Sequence, residues 1–179
     1  IVQNVGDQLT PEGEDATTFW GEGDEAIVKY ANAICDTIDK YGYDGFDYDY
    51  EPNYGHRGNI SGVPAAEKVF VEALSRRLGP KSGTDKMLVI DGEPQTINSE
   101  LGPCFNYFIV QAYQCTGDAN LDGRLQGTIM NFNGVLEPEE VAKKYIVTEN
   151  FENFALAGGV SFTDRNGNEM MSLEGMARW

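Results

Sequence analysis

From Phe46 to Glu51 the chain alternates aromatic and acidic residues: Asp44-Gly45-Phe46-Asp47-Tyr48-Asp49-Tyr50-Glu51. Successive side chains of an extended strand point to opposite faces. Asp47, Asp49 and Glu51 therefore share one face, and Phe46, Tyr48 and Tyr50 share the other. The aromatic face has to be covered by other elements, whereas the carboxylates need water, a ligand or one another's protons. A chain with this segment must build a sheet with one sealed face and one polar face.

The flanking segments supply the covers. Ala26, Ile27, Tyr30, Ile34, Ile38 and Tyr41 recur at helical spacing, and Gly42 ends the run. Ala65 to Leu78 is a second helix, with Val69, Phe70, Ala73 and Leu74 on one face and Gly79-Pro80 as its close. Ile1 to Val5, Tyr43 to Glu51, Met87 to Asp91, Tyr107 to Tyr113, Tyr145 to Thr148 and Ala157 to Phe162 are strand-like. Pro138 to Lys144 is a short helix opened by proline, and Ser172 to Trp179 is helical. Strands alternating with helices predict βαβ units and a parallel sheet. No repeat or linker divides the 179 residues, a length that suits one domain. In parallel α/β folds the chemistry gathers at the carboxyl ends of the strands. Asn4, Glu51, Asp91, Tyr113 and Glu149 stand there.

Charge excludes one class of partner. With 13 Lys and Arg against 29 Asp and Glu, the net charge of −16 repels nucleic acid. The densest basic pairs, Arg76-Arg77 and Lys143-Lys144, sit late in predicted helices, where cations suit the helix dipole. No run of about 18 apolar residues is present to span a membrane, and no signal peptide is visible. The three cysteines, Cys35, Cys104 and Cys115, lack metal-ligand spacing. Cys35 falls on an apolar helical face. Cys104 and Cys115 are expected to be reduced core thiols, with a disulfide between them as the alternative.

Along the acidic row each carboxylate lies about 6–7 Å from the next. Like charges at that spacing in a low dielectric raise at least one pKa and share protons between neighbours. Glu51, at the strand's carboxyl end, is placed to protonate a leaving group. Asp49 would bond Glu51 or substrate, and Asp47 would hold the shared proton deeper. Two other readings stay open on the residues alone. The acids are solvated strand-end groups, or they hold calcium or magnesium. Nothing nearby completes a cage, and the lone His56 sits in a glycine-rich loop, so no metal or cofactor is expected.

The row resembles the signature of glycoside hydrolase family 18, the chitinases and endo-β-N-acetylglucosaminidases. That signature is Asp-x-x-Asp-x-Asp-x-Glu, and Asp44, Asp47, Asp49 and Glu51 match each fixed place. Gln111-Ala112-Tyr113 is similar to the Gln-x-Tyr element of the endo-β-N-acetylglucosaminidase branch. The resemblance implies substrate-assisted retaining hydrolysis, an exception to the two-carboxylate scheme. Glu51 would donate the proton and later activate water. Asp49 and Tyr113 would orient the substrate's 2-acetamido group as internal nucleophile, with Asp47 behind them. Asp44, Gln111, Asn4, Asp91 and Glu149 would line the substrate site.

Some positions depart from the family pattern. The earlier Ser-x-Gly-Gly element appears as Asn4-Val5-Gly6-Asp7, which keeps only Gly6. Phe162 stands where chitinases often place a last-strand tryptophan, which favours the endo-β-N-acetylglucosaminidase branch.

The implied fold is a TIM (β/α)8 barrel, which usually needs about 250 residues. Six strand candidates are present, and the acid-bearing strand, fourth in the family, is second here. The expectation is one catalytic barrel domain over residues 1–179, holding about strands 3–8 and lacking its first βα units. The implied substrate is an N-acetylglucosamine-containing glycan or glycoprotein. The implied setting is secreted, periplasmic or at a bacterial cell surface. A chitinase and a catalytically silent glycan-binding barrel are the competing readings.

Weaker signals remain. Asp118-Ala119-Asn120-Leu121-Asp122-Gly123 mimics the start of a calcium loop, but Ile129 stands where a bidentate Glu is needed, which leaves an Asp/Asn/Gly-rich turn. Gly158-Gly159 is expected to allow close packing near the last strand. Phe19 and Trp20 either stack on sugar or pack.

Overall fold

The computed structural model describes residues 2–4, 23–52, 60, 63–150 and 156–179. The first part of the chain gives β1 (Val2–Asn4), α1 (Asp24–Tyr41), β2 (Gly45–Tyr50), α2 (Pro64–Ser75) and β3 (Met87–Gly92). Two 3-10 segments, Pro94–Thr96 and Ser99–Cys104, lead to β4 (Tyr107–Gln111). Then follow α3 (Asp118–Asn131), α4 (Pro138–Lys144), β5 (Tyr145–Thr148), β6 (Ser161–Thr163), β7 (Glu169–Met171) and α5 (Ser172–Arg178).

Five strands make one parallel sheet in chain order, β1-β2-β3-β4-β5. Each crossover returns to the next strand along, which is how a βα barrel winds; a doubly wound sheet reverses direction part-way. Among the described residues β1 and β5 each pair on one side only.

Helix α1 buries Ala31, Ile34, Cys35 and Ile38, an i, i+3, i+4, i+7 stripe, and Gly42 closes it through its N–H to the Asp39 and Ile38 carbonyls. Helix α2 opens on Pro64 and buries Phe70, Val71, Ala73 and Leu74. The Phe70 ring meets Phe46 edge-on at 6.4 Å and Tyr48 at 5.5 Å. The aromatic face of the acidic strand is thus sealed by the helix layer, and this contact is the centre of the main core. A second, smaller core joins Ala112, Cys115, Leu121 and Phe162, with Val147, Met170, Met176 and Trp179 packed against it. It lies under the turn that follows β4.

Several expectations are corrected. Asp118 to Gly123 is not a turn but the start of α3. The helix buries only Asp118, Leu121 and Thr128, so its apolar stripe is too sparse to show as a period. Asp118 is instead held by the Arg165 backbone N–H at 2.8 Å and Nε at 3.1 Å. The last strand is shorter than expected and does not join the parallel sheet. It pairs antiparallel with β7 in a hairpin and touches the post-β4 turn through one parallel bridge, Gly117 to Thr163.

Helix α2 ends at Ser75 with Arg76 as its C-cap, where a cation suits the dipole, and Arg77 lies one residue beyond. The Arg77 guanidinium bonds Asp36 at 2.7 Å and Asp39 at 2.6 Å, tying α2's exit to α1. Lys144 sits in the last turn of α4, paired with Glu140 at 2.8 Å. Cys35, Cys104 and Cys115 are free and buried, so the disulfide alternative falls. Among the described residues no helix is long and apolar enough to cross a membrane.

Candidate active site

The sheet register assembles the acids. Asp49 is in line with Asn4 on β1 and Asp91 on β3, and Asp47 with Val2 and Val89. Phe46, Tyr48 and Tyr50 are 2%, 0% and 3% exposed, so the opposite face is the one left for the carboxylates. Asp47, Asp49 and Glu51 are half-buried there. Strand β2 ends at Tyr50, which puts Glu51 just past its carboxyl end.

The neighbouring strand makes room for that glutamate. At Gly92, with φ +114°, a Cβ would lie 2.3 Å from the Tyr50 carbonyl oxygen and 3.4 Å from Glu51 Cγ. Only glycine adopts that backbone readily, and it lets the end of β3 pass beside Glu51.

From β4, Gln111 reaches across β3 and donates its Nε2 to Asp49 Oδ1 at 3.3 Å. The same side chain also bonds Asp91. The protons of the row are held unequally. Burial, followed by the charge of Asp49, lifts Asp47 to about 6. Burial, followed by the charges of Asp47 and Asp49, lifts Asp91 to about 7, against the bonds from Gln111 and the Gly92 N–H. Among the described residues Asp47 Oδ1 and Asp91 Oδ1 are buried without a hydrogen-bond partner. Asp47, to which the sequence assigned the deep proton, is raised, and Asp91 across the sheet is raised with it, so the row shares its protons. Burial comes first for Asp91 and the charges of Asp47 and Asp49 add to it, a cross-strand relation that no linear spacing displays.

Tyr113 stands two residues beyond the end of β4, not on the strand itself, and is 39% exposed. Burial raises its pKa, and the carboxylates of Asp91, Asp49, Glu51 and Glu149 raise it further. Its hydroxyl therefore stays protonated at neutral pH and can donate a hydrogen bond.

Two candidates fall elsewhere. Asp44 is exposed at the amino end of β2, roughly 20 Å along the strand from Glu51 at about 3.3 Å per residue. It does not join the site. Glu149 is near Tyr113 but already occupied. Its Oε1 accepts the Gln114 N–H at 3.0 Å and the Asn150 N–H at 2.9 Å, and its Oε2 accepts the Ser172 hydroxyl at 2.7 Å. Glu149 therefore stands beside Tyr113 with both oxygens engaged by the protein. Asn4 enters only through its backbone register, while Gly6, Phe19, Trp20 and His56 lie outside the described residues.

On the sealed face, sequence reasoning missed Glu67 of α2. This residue is 2% exposed, bonded by the Tyr50 hydroxyl and the Asn98 N–H, and lifted to about 7 by burial. Its one signal is an acid within the apolar stripe of a helix. Among the described residues no group of three or more acids, His or Cys is arranged to hold a metal.

One acid at a strand end, backed by proton-sharing carboxylates and faced by an amide and a phenol, is equipped for proton transfer to a polar, uncharged substrate. The chain is similar to several known proteins. Endo-β-N-acetylglucosaminidase F2 of Elizabethkingia meningoseptica is 29% identical over 156 residues, 85% of this chain and 39% of that protein. The solved structure of BT1044, in its selenomethionine form with a Glu-to-Gln change, aligns at TM-score 0.73 and 33% identity over 93% of this chain and 52% of its own. The endo-β-N-acetylglucosaminidase of Cordyceps militaris without ligand aligns at TM-score 0.52 and 26% identity over 74% and 41%. The chain thus spans about two fifths to one half of these relatives. The model for glycoside hydrolase family 18, BT1044-like, matches residues 1–179. On that match the chain belongs to glycoside hydrolase family 18, and its α/β fold is TIM-barrel-like.

Proposed function

We propose that the protein hydrolyses the β-1,4 bond between the two N-acetylglucosamines in the chitobiose core of N-glycans, with retention and with help from the substrate's own acetamido group. The observation that carries this is the placement of Glu51 at the end of β2, with Gln111 bonded to Asp49 and the Tyr113 phenol facing the same carboxylates. The two relatives named as endo-β-N-acetylglucosaminidases support the substrate class.

The steps follow from the chemistry of these groups. Glu51 gives its proton to the glycosidic oxygen as the bond to the anomeric carbon breaks. The acetamido oxygen closes on that carbon and forms an oxazolinium ring. Asp49, oriented by Gln111, faces the positive charge that develops there, and Tyr113 donates to the acetamido group. Water then attacks the anomeric carbon from the side that the leaving sugar vacated, the ring's bond from that carbon to the acetamido oxygen breaks to restore the acetamido group, and the water's proton goes to Glu51. Asp47 and Asp91, which hold protons more strongly than ordinary carboxylates, keep the row from carrying its full charge. A glycoprotein substrate of this kind fits a protein that works outside the cytoplasm.

The test compares the complete protein with its Glu51→Gln variant on a high-mannose glycoprotein. Loss of the acid should lower the rate of glycan release by roughly 10²–10⁴-fold while the thermal midpoint stays put. Undiminished release by Glu51→Gln would overturn the assignment. Tight glycan binding by wild type without any release would favour a silent binding barrel.

A further inference from the structure

The turn after β4 is closed by its own backbone bond, Cys115 N–H to the Ala112 carbonyl at 3.1 Å, and also takes support from outside. Gln114 has φ 57°, the one left-handed residue other than glycine among the described residues. That conformation costs of order 1 kcal/mol or more for a residue with a Cβ and persists only where the surroundings hold it. Its N–H is bound by Glu149 Oε1 at 3.0 Å, from the residue after β5. The other oxygen of Glu149 accepts the hydroxyl of Ser172, which is fully buried at the start of α5. Ser172 Oγ in turn accepts the Val160 N–H at 3.0 Å, and the Ser172 N–H returns to the Val160 carbonyl at 2.8 Å. Gly159 leaves the space, since a Cβ there would stand 1.9 Å from Ser172 Oγ.

A continuous chain of bonds therefore runs from the segment before β6, through α5 and β5, to the residue next to Tyr113. The small core adds a second hold on the same turn, burying Ala112 and Cys115 on either side of Tyr113 and Gln114.

We infer that Glu149 is a positioning residue that fixes Tyr113, acting through the Gln114 N–H and braced by Ser172, and that it does not bind substrate itself. This rests on the proposed role of Tyr113. Both carboxylate oxygens are already engaged by donors in the protein, so a sugar hydroxyl would have to displace one. The strained turn gains from an acceptor held in place for the Gln114 N–H.

A double-mutant cycle in the complete protein tests this, with glycan release as the readout. Glu149→Ala should lower kcat roughly 10–100-fold, the scale of a displaced catalytic group. Because Glu149 acts through Tyr113, adding Glu149→Ala to Tyr113→Phe should cost no more than about 2-fold further, far from the additive result. Glu149→Gln keeps an acceptor for Gln114 and should recover most of the loss. Amide exchange supplies an arm that needs no activity: the Gln114 N–H should exchange slowly in wild type and in Glu149→Gln, and quickly in Glu149→Ala. Equal losses in both backgrounds, or Glu149→Gln as impaired as Glu149→Ala, would overturn the inference. A Gln114 amide that exchanges equally in wild type and Glu149→Ala would overturn it too. If wild type releases no glycan, the functional proposal fails, and amide exchange still decides whether Glu149 holds the turn.

Discussion

The two halves of the site are built by different means. The acidic half stands on β2 and β3, where a regular ladder pairs Gly45 to Tyr50 with Met87 to Gly92 residue for residue. Its side chains point inward because strands alternate. Their freedom is in protons, with Asp47 Oδ1 and Asp91 Oδ1 left buried and unpartnered among the described residues. The phenol half stands beyond β4 on a turn with no ladder. It is held by Glu149, by the small core, and by Arg165 clasping Asp118 at the start of α3. One half is fixed in geometry and adjustable in charge, whereas the other is a single closed turn that leans on groups brought from far along the chain. Substitutions should separate them.

The largest effect expected on the phenol half is from Tyr113→Phe. Removing one donor from the developing charge should cut kcat by about 10²-fold, with little change in the thermal midpoint. A loss in KM alone would instead make Tyr113 a ground-state contact.

Next comes the contrast between the cores. Phe70→Ala should cost about 3–5 kcal/mol, the usual penalty for a buried aromatic, and unfold the whole sheet cooperatively. Phe162→Ala removes a ring of the small core, against which Gly175 of α5 is pressed. Its penalty should fall in the same range, but near-native sheet content should persist while Gln114 loses amide protection. If the two variants lose β2 and turn protection together, the halves are not separable.

The smallest effect concerns charge. Asp91 keeps its proton up to about pH 7 in the folded chain, whereas an unfolded Asp releases it near 4. Between those values the folded state binds more protons, so this contribution to stability is complete below about pH 4 and is lost as pH rises toward 7. Asp91→Asn should therefore flatten the fall in thermal midpoint across that window. Some slope should remain from Asp47, lifted to about 6, and Glu67, lifted to about 7. An unchanged slope would mean that Asp91 does not hold a proton in the folded row.

The same division explains what was legible in sequence. The acidic strand declares itself, because its alternation is local and its covering helices α1 and α2 carry clear apolar stripes. The end of α1 could be read too, at Gly42. The turn and its supports were hidden. Helix α3 buries too few apolar side chains to show a period, and its first residue is held by Arg165, 47 residues away. The strand near Phe162 looked like a member of the parallel sheet, because a short apolar run does not declare its partner. Asp44 fits the signature but lies at the wrong end of the strand to touch Glu51, since a motif records spacing along the chain and not which end of a strand meets the substrate. Asp91 and Glu149 were picked out as strand-end acids, yet what each does depends on its surroundings in space: burial beside two carboxylates of β2 for one, donors from the post-β4 turn and from α5 for the other.

The most direct measurement is the mass of the peptide left after the complete protein acts on a defined N-glycoprotein. The account predicts that one N-acetylglucosamine remains on the asparagine and that the other leaves with the released glycan. A peptide that keeps its whole glycan, or one stripped to the bare asparagine, would contradict it.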